Sequence, residues 1–108
     1  MPLLFEQGVQ MFRAARVDSN QSEVTKALRK MGCSVQLLHS VGKGCPDMLV
    51  GYKGGNYLLE IKDGEKKESA RKLTAEHVIW HFDWKGQVTV VTSAEEAIDT
   101  IRKLSGIV

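Results

Sequence analysis

Two carboxylates and one lysine near the middle of the chain could act together in catalysis. Asp47 follows a Gly-Cys-Pro sequence, and Glu60 and Lys62 are separated by a single isoleucine. Mg²⁺ prefers a few carboxylate oxygens plus waters, which leaves positions open for phosphate oxygens. A bound metal lowers the pKa of a water and stabilises charge on a phosphodiester, while a nearby lysine can orient that water. These residue types indicate metal-dependent hydrolysis of a phosphodiester bond.

A β-hairpin is predicted to position these three side chains. Two apolar, strand-forming runs flank the segment Lys53–Asn56, whose two central glycines are free to adopt positive φ. With those glycines as the turn, Asp47 is predicted to lie opposite Lys62. Leu49 is predicted to lie opposite Glu60. This register is a specific expectation that a structure can test.

The same hairpin predicts that Asp47, Glu60 and Lys62 project from one face of the sheet, because side chains alternate faces with a period of two. A structural ion pair is the alternative interpretation. A second Glu-x-Lys triplet, Glu65–Lys67, lies in a polar stretch and is typical of a solvated loop. The first triplet instead lies on a strand that otherwise has the pattern of a buried one, where unpaired charge is costly. This context favours a functional site.

The segment Gly44–Asp47 followed by Glu60-Ile61-Lys62 resembles the motif of the PD-(D/E)XK nuclease superfamily. The full pattern is similar to its VRR-NUC branch, in particular to small stand-alone phage and bacterial members. The resemblance implies a metal-dependent endonuclease with Asp47, Glu60 and Lys62 as catalytic residues. Asp47, Glu60 and the backbone carbonyl of Ile61 would bind Mg²⁺, for which Mn²⁺ would substitute. Products with a 5′-phosphate and a 3′-hydroxyl are expected.

The stand-alone members of this branch resemble Holliday-junction resolvases, which are symmetric dimers that cut opposed strands. Branched DNA is therefore the expected substrate, and a homodimer the expected assembly. A catalytically silent DNA-binding module on the same fold is the alternative function. The intact set of Asp47, Glu60 and Lys62 argues against it.

Glu23 has two interpretations. It lies near the start of a predicted helix that Asp18, Ser19 or Asn20 would cap and that Gly32 would end. Glu23 could complete a capping box with Asn20. In the family that this chain resembles, a glutamate at this place on the first helix completes the metal cluster.

Basic residues on either side of the motif could bind the phosphate backbone. Lys43 lies in a glycine-containing loop that leads into Asp47, although the loop lacks the Gly-Lys-Ser/Thr ending of a P-loop. The polar stretch after Lys62 contributes Lys66, Lys67 and Arg71. These side chains are interpreted either as a rim that contacts phosphates or as a solvated face.

A second helix is predicted after Thr74, its N-cap, and is expected to end at Gly86. Its core stripe is predicted to contain four residues: Ala75, Val78, Ile79 and Phe82. Trp80 and Trp84 then point outwards and are predicted to form a dimer interface. The alternative is that another part of the monomer covers them. The family carries Leu-Thr-Pro followed by Glu or Gln here, and Ala75 and His77 depart from that pattern, so a catalytic role for Glu76 or His77 is not established.

The whole chain is predicted to be an α/β protein with a restriction-endonuclease-like core. The expected order is helix, three strands, helix, strand and helix around a mixed four-stranded sheet. Residues 1–17 are predicted to be an N-terminal extension, and residues 18–108 a VRR-NUC-like nuclease domain. The last helix opens with a capping box at Ser93, and Ala97, Ile98, Ile101 and Leu104 are predicted to face inward.

Composition supports a single globular domain. Of 108 residues, 43% are hydrophobic and 26% are charged, and the net charge of +2 is too small to indicate a nucleic-acid partner by itself. Cys33 and Cys45 have neither the number nor the spacing of a disulfide framework or a zinc site. Reduced thiols and a cytoplasmic location are therefore expected. No apolar run approaches the ~18 residues of a membrane span, and no signal peptide is recognised.

Overall fold

The computed structural model describes residues 19–63 and 73–106. In these residues the elements are α1 (Ser19–Met31), β1 (Ser34–Leu37), β2 (Met48–Tyr52), β3 (Gly55–Ile61), α2 (Ala75–Asp83), β4 (Thr89–Val91) and α3 (Ala94–Ser105). The predicted α/β class and order of elements are confirmed. The predicted extension, residues 1–17, lies outside the described residues. Within the described ranges, no helix is long and apolar enough to cross a membrane.

The four strands form one mixed sheet in the order β1-β2-β3-β4. β1, β2 and β3 pair antiparallel, whereas β3 and β4 pair parallel. The connection between the two parallel strands carries α2, as parallel pairing requires a long crossover. β3 is therefore an interior strand, and it carries Glu60 near its end.

The hairpin turn consists of Lys53 and Gly54, with φ of 47° and 88°. Tyr52 pairs directly with Gly55, so the loop has two residues. Positive φ at both central positions is the type I′ geometry, whose twist matches that of the flanking strands. The prediction that Gly54 and Gly55 form the turn is wrong by one position.

The turn shifts the strand register by two residues. Leu49 pairs with Leu58, not with Glu60. Continuing the ladder by one pair places Asp47 opposite Glu60 instead of opposite Lys62. The predicted register is therefore wrong, but a shift of two preserves the face from which each side chain projects.

Helices α1 and α3 pack against each other and against one face of the sheet. The buried core contains Val24, Leu28, Cys33, Met48, Val50, Leu59, Ile61, Val91, Ala97 and Ile101. Ala97 and Ile101 of α3 are fully buried as predicted, and Ile98 packs against the core. Leu104 is exposed, so its predicted inward orientation is wrong. Ile61 belongs to this core, which leaves its neighbours Glu60 and Lys62 to project from the opposite face.

Asn20 ties the start of α1 to the ends of two strands. Its side-chain amide donates to the carbonyls of Lys62, at 3.0 Å, and Thr92, at 2.9 Å. Ser19 already belongs to α1, so Asn20 lies within the helix and not at its N-cap. The capping-box interpretation of Glu23 with Asn20 is therefore wrong.

Helix α2 is oriented differently from the prediction. Val78, Ile79 and Phe82 are 52%, 61% and 82% exposed, so the core stripe assigned to them is wrong. His77, Trp80 and His81 are the half-buried residues of the helix. We refer to Val78, Ile79 and Phe82 as the outer face of α2.

Both ends of α2 are capped by identifiable groups. The Thr74 hydroxyl accepts a hydrogen bond from the His77 backbone N–H at 3.2 Å, which confirms the predicted N-cap. The helix ends at Asp83, earlier than the predicted end at Gly86, and Trp84 continues in an extended conformation. The Trp80 and Trp84 rings stack with centroids 4.8 Å apart.

Candidate active site

Glu60 is the centre of the candidate site. It lies near the end of β3 and is only 1% exposed. The Lys62 ammonium nitrogen and His77 Nε2 each lie 3.7 Å from the same oxygen, Glu60 Oε2. Burial of a carboxylate is costly unless other groups compensate its charge. The structure therefore surrounds this carboxylate with nitrogen groups from two different elements.

Asp47 is held against the same strand. The backbone N–H of Ile61 donates to Asp47 Oδ2 at 2.7 Å, so this carboxylate lies beside the peptide that joins Glu60 to Ile61. The Asp47 carbonyl in turn accepts from the backbone N–H of Leu38 at 2.8 Å, which fixes the residue against the end of β1. The structure thus brings together Asp47, Glu60 and Lys62, the three residues singled out by the motif.

The loop before Asp47 joins β1 to β2 and packs against the first turn of α2. Gly42, Lys43 and Gly44 have φ of 78°, 57° and 82°, so three successive residues are in the left-handed region. Gly44 is buried, and a Cβ placed on it would overlap the backbone carbonyl of Glu76. This contact between backbones sets the position of the first turn of α2 relative to the sheet.

His77 is a residue of the site that the sequence did not assign. Its Nδ1 lies 3.1 Å from the Thr74 hydroxyl, while its Nε2 faces Glu60. Burial lowers the pKa of His77, and the nearby Lys62 charge lowers it further. The imidazole is accordingly neutral near pH 7. The Thr-x-x-His spacing at a helix start is the sequence signal that could have indicated this position.

The pKa of the Cys45 thiol is affected by burial and by the same two carboxylates. Burial raises the pKa of its thiol, and the Glu60 and Asp47 carboxylates raise it further. Cys45 is therefore a protonated, unbridged thiol, which fits its interpretation as a packing residue. The two carboxylates also create a negative potential, which is the electrostatic requirement of a cation site.

The donor set fits a divalent cation in its chemistry. Among residues 19–63 and 73–106, no three His, Cys, Asp or Glu side chains form a group with metal-holding geometry. Mg²⁺, however, is commonly held by one or two carboxylates, with waters and substrate phosphates as the remaining ligands. Asp47 and Glu60 supply such a pair. The ligand role of the Ile61 carbonyl stays a prediction.

Glu23 lies in a cleft whose lining does not include Asp47, Glu60 or Lys62. It is exposed on α1, where it lines this cleft with Lys26, Asp63 and Glu95. The role of Glu23 as a metal ligand stays a prediction.

The residues predicted to bind DNA or to form the dimer interface lie in different parts of the chain. Lys43 is exposed on the loop before Asp47. Lys66, Lys67 and Arg71 lie outside the described residues. Trp80 is half-buried, and Trp84 is exposed with its indole N–H donating to the Gln87 carbonyl at 3.1 Å. The interface predicted at these tryptophans stays a prediction, and the most exposed apolar residue of α2 is Phe82.

Comparisons of the chain with protein-family models, with curated proteins and with solved structures found no match. The resemblance to PD-(D/E)XK nucleases therefore depends on the sequence motif and stays a prediction.

Proposed function

We propose that this protein is a metal-dependent endodeoxyribonuclease of the PD-(D/E)XK type, with a restriction-endonuclease-like core. The observation that carries the proposal is the buried Glu60 carboxylate, which lies 3.7 Å from the Lys62 ammonium nitrogen. The Asp47 carboxylate lies next to it and accepts a hydrogen bond from the Ile61 backbone N–H. An interior sheet position is filled most simply by an apolar side chain, because replacing a buried ion pair by apolar residues is often neutral or stabilising. A pair of carboxylates with a lysine at this position is better explained by a catalytic role.

Each residue has a defined role in this proposal. Asp47 and Glu60 would hold a divalent cation, Mg²⁺ or Mn²⁺, together with the Ile61 carbonyl, and Glu23 would assist through water. When bound, the metal supplies a water of lowered pKa and stabilises charge on the phosphodiester. The Lys62 ammonium group, beside Glu60, orients the attacking water and neutralises the phosphate. Lys43 contacts the DNA backbone from the loop before Asp47.

Branched DNA, such as a four-way junction, is the proposed substrate. Purified protein should be incubated with a four-way junction, a flap, a nicked duplex and a linear duplex, each with Mg²⁺, Mn²⁺ or EDTA. We expect cleavage of a branched substrate only with metal, to products carrying 5′-phosphates. The Asp47→Asn variant is the control for contaminating nuclease.

Two results would argue against this function. Metal-independent binding of the branched substrates without cleavage in any metal would support the catalytically silent DNA-binding module instead. Absence of both binding and cleavage would contradict both candidate functions.

The proposed assembly is a homodimer formed through the outer face of α2. Three large apolar side chains are exposed side by side on this helix, and such patches mark contact surfaces. A two-fold axis brings the same surface of two copies into contact. It would also place two identical sites at the two equivalent strands that are cut in a four-way junction. The helix directs His77 inward at the same time, so a partner on the outer face would leave the candidate site accessible.

Phe82→Glu should convert this dimer to a monomer, because a charge would be buried at the centre of the interface. Light scattering at tens of micromolar protein measures the change. Leu104→Glu, which places the same charge at an exposed leucine of α3, is the matched control and should leave the mass unchanged. A monomeric parent protein, or a Phe82→Glu variant that still dimerises, would exclude this helix as the interface.

A further inference from the structure

Two stacked indole rings lie at the end of α2, the helix that also brings His77 to the candidate site. The rings of Trp80 and Trp84 have centroids 4.8 Å apart and planes inclined by 20°. Trp84 is 44% exposed. We infer that Trp84 is a stacking platform for an unpaired DNA base, so that the substrate has single-stranded nucleotides beside the cleaved bond. This inference rests on the proposed function and specifies its substrate.

The Trp84 ring is anchored to the sheet through Gln87. Its indole N–H donates to the Gln87 carbonyl at 3.1 Å. The Gln87 side-chain amide in turn bonds both the backbone N–H and the carbonyl of Leu58, each at 2.8 Å. Leu58 precedes Glu60 by two residues on β3, so the two side chains share one face of the sheet, about 7 Å apart along the strand. The platform is therefore tied to the strand that carries the central carboxylate.

The course of α2 also relates the platform to the candidate site. His77 and Trp84, the C-cap, are separated by nearly two full helical turns, so they share one side of the helix. At a rise of about 1.5 Å per residue, Trp84 lies about 10 Å along the helix from His77. Stacked nucleotides of one DNA strand are spaced about 3.4 Å apart. A base on Trp84 would therefore be about three nucleotides from the phosphodiester at the candidate site.

The size and surroundings of the exposed ring favour a base over a protein partner. An indole that is 44% exposed offers roughly 100 Å² of surface, whereas a stable protein interface takes about 800 Å² from each partner. The outer face of α2 lies more than about 100° around the helix axis and does not extend this surface. The chain neighbours of the ring are Asp83, Lys85 and Gly86, which are all exposed and carry no large apolar side chain. A single flat ring beside a lysine suits one nucleobase and its phosphate.

An unpaired base is required because both faces of a base inside a duplex are already covered by its neighbours. Taking such a base out of the stack costs a few kcal/mol, and this cost is smallest for a base that is already single-stranded. Stacking on an aromatic side chain tolerates any sequence, since every base has a flat face. Flaps and splayed arms are therefore the favoured branched DNAs.

The alternative is that the two indoles only pack the end of α2 against the sheet. Packing depends on the apolar area that is buried and does not need a flat ring. Under that alternative, a change at Trp84 would alter the binding of single-stranded DNA no more than the binding of duplex DNA.

The experiment measures the binding of fluorescein-labelled oligodeoxyadenylate by anisotropy, as a single strand and as a duplex with oligothymidylate, in EDTA to prevent cleavage. Trp84→Leu should weaken single-strand binding roughly five- to a hundredfold, the range for loss of one base–aromatic contact. Trp84→Phe keeps a flat ring and should retain most of the affinity. Duplex binding should be unchanged in both variants. Leu104→Ala, at an exposed apolar side chain of α3, is the control and should bind like the parent.

A photo-crosslink gives a direct readout in the parent protein and requires no variant. A flap substrate carries 5-iodouracil in its single-stranded arm, close to the branch. On irradiation this base forms a covalent bond with an aromatic side chain that stacks on it. Mass spectrometry should locate the adduct on Trp84.

The outcomes separate the platform from the nuclease. Equal binding by the parent and Trp84→Leu, equal losses in Trp84→Leu and Trp84→Phe, or adducts only on other residues would overturn the platform and leave the proposed nuclease intact. A Trp84→Leu variant that converts a dimer to a monomer would assign this ring to a second copy of the chain and also overturn the platform. A Trp84 adduct without cleavage in any metal would support the platform and contradict the proposed nuclease.

Discussion

Replacing Glu60 with glutamine should reduce DNA cleavage by about a thousandfold or more, the scale on which essential catalytic groups act. The variant should nevertheless be at least as stable as the parent protein. Glutamine keeps the size of the side chain but removes the charge that would hold the metal. It also removes a carboxylate that is 1% exposed and shares the site with a second one, on Asp47, so the repulsion between the two like charges is relieved.

A purely structural role for the ion pair predicts the opposite change in stability. Breaking such a pair would leave the partly buried Lys62 ammonium without its carboxylate and lower the free energy of unfolding by about 3–5 kcal/mol. Urea denaturation and the cleavage assay, applied to the same preparations, separate the two accounts. Glu95→Gln, an exposed substitution at the start of α3, is the control and should change stability by about 0.5 kcal/mol or less. Full activity together with a large loss of stability would reject Glu60 as a catalytic residue.

Replacing Gly44 with alanine should lower the free energy of unfolding by about 3 kcal/mol. One part of this loss is the left-handed backbone, at φ of 82°, which costs an alanine about 1 kcal/mol. The larger part is steric, because the new Cβ would lie 2.7 Å from the carbonyl carbon of Glu76, in the backbone of α2. Backbone atoms of a helix cannot rotate away as a flexible side chain can.

Gly42→Ala is the matched control for this prediction. Gly42 has a similar φ of 78°, but a Cβ placed there meets nothing within 4 Å. It should therefore lose only the contribution of the backbone, about 1 kcal/mol. Urea denaturation of the two variants measures the difference. Equal losses at both positions would show that the loop and α2 are not in contact in solution.

The order of elements could be predicted because each element has its own local signal. Thr74 and Ser93 are N-caps in the structure as in the prediction, and the two strands of the hairpin are bounded by turn residues. The exact turn could not be predicted. Lys53 adopts positive φ, which is uncommon for a residue other than glycine, and the sequence favoured the two glycines that follow it.

The orientation of α2 shows where periodicity alone is insufficient. The outer face carries the more apolar stripe, and the sequence pattern assigned that stripe to the core. The opposite stripe, with His77 and Trp80, is turned toward the sheet. The Gly44 backbone lies against the first turn of the helix, and His77 Nε2 lies 3.7 Å from Glu60 Oε2. These contacts join residues far apart in the sequence, so no local pattern contains them.

The three motif residues could be predicted to converge because their common face depends only on whether their separation in the ladder is odd or even. A register error of two positions leaves that property unchanged. His77 could not be assigned from the hairpin, since its contact with Glu60 depends on how α2 crosses the sheet. Glu23 was assigned from the family resemblance, and the structure places it in a separate cleft on α1.

The stacked pair of indoles gives this protein a built-in optical probe. The chain has two tryptophans, and Trp80 and Trp84 lie 4.8 Å apart on and just after α2. Intrinsic fluorescence therefore reports on this one helix, whereas far-ultraviolet circular dichroism reports on all helices and strands. Coincident denaturation curves from the two signals would mean that α2 melts with the sheet as one cooperative unit. An earlier transition in fluorescence would show that α2 unfolds before the sheet does. His77 would then leave the candidate site while the sheet is still folded.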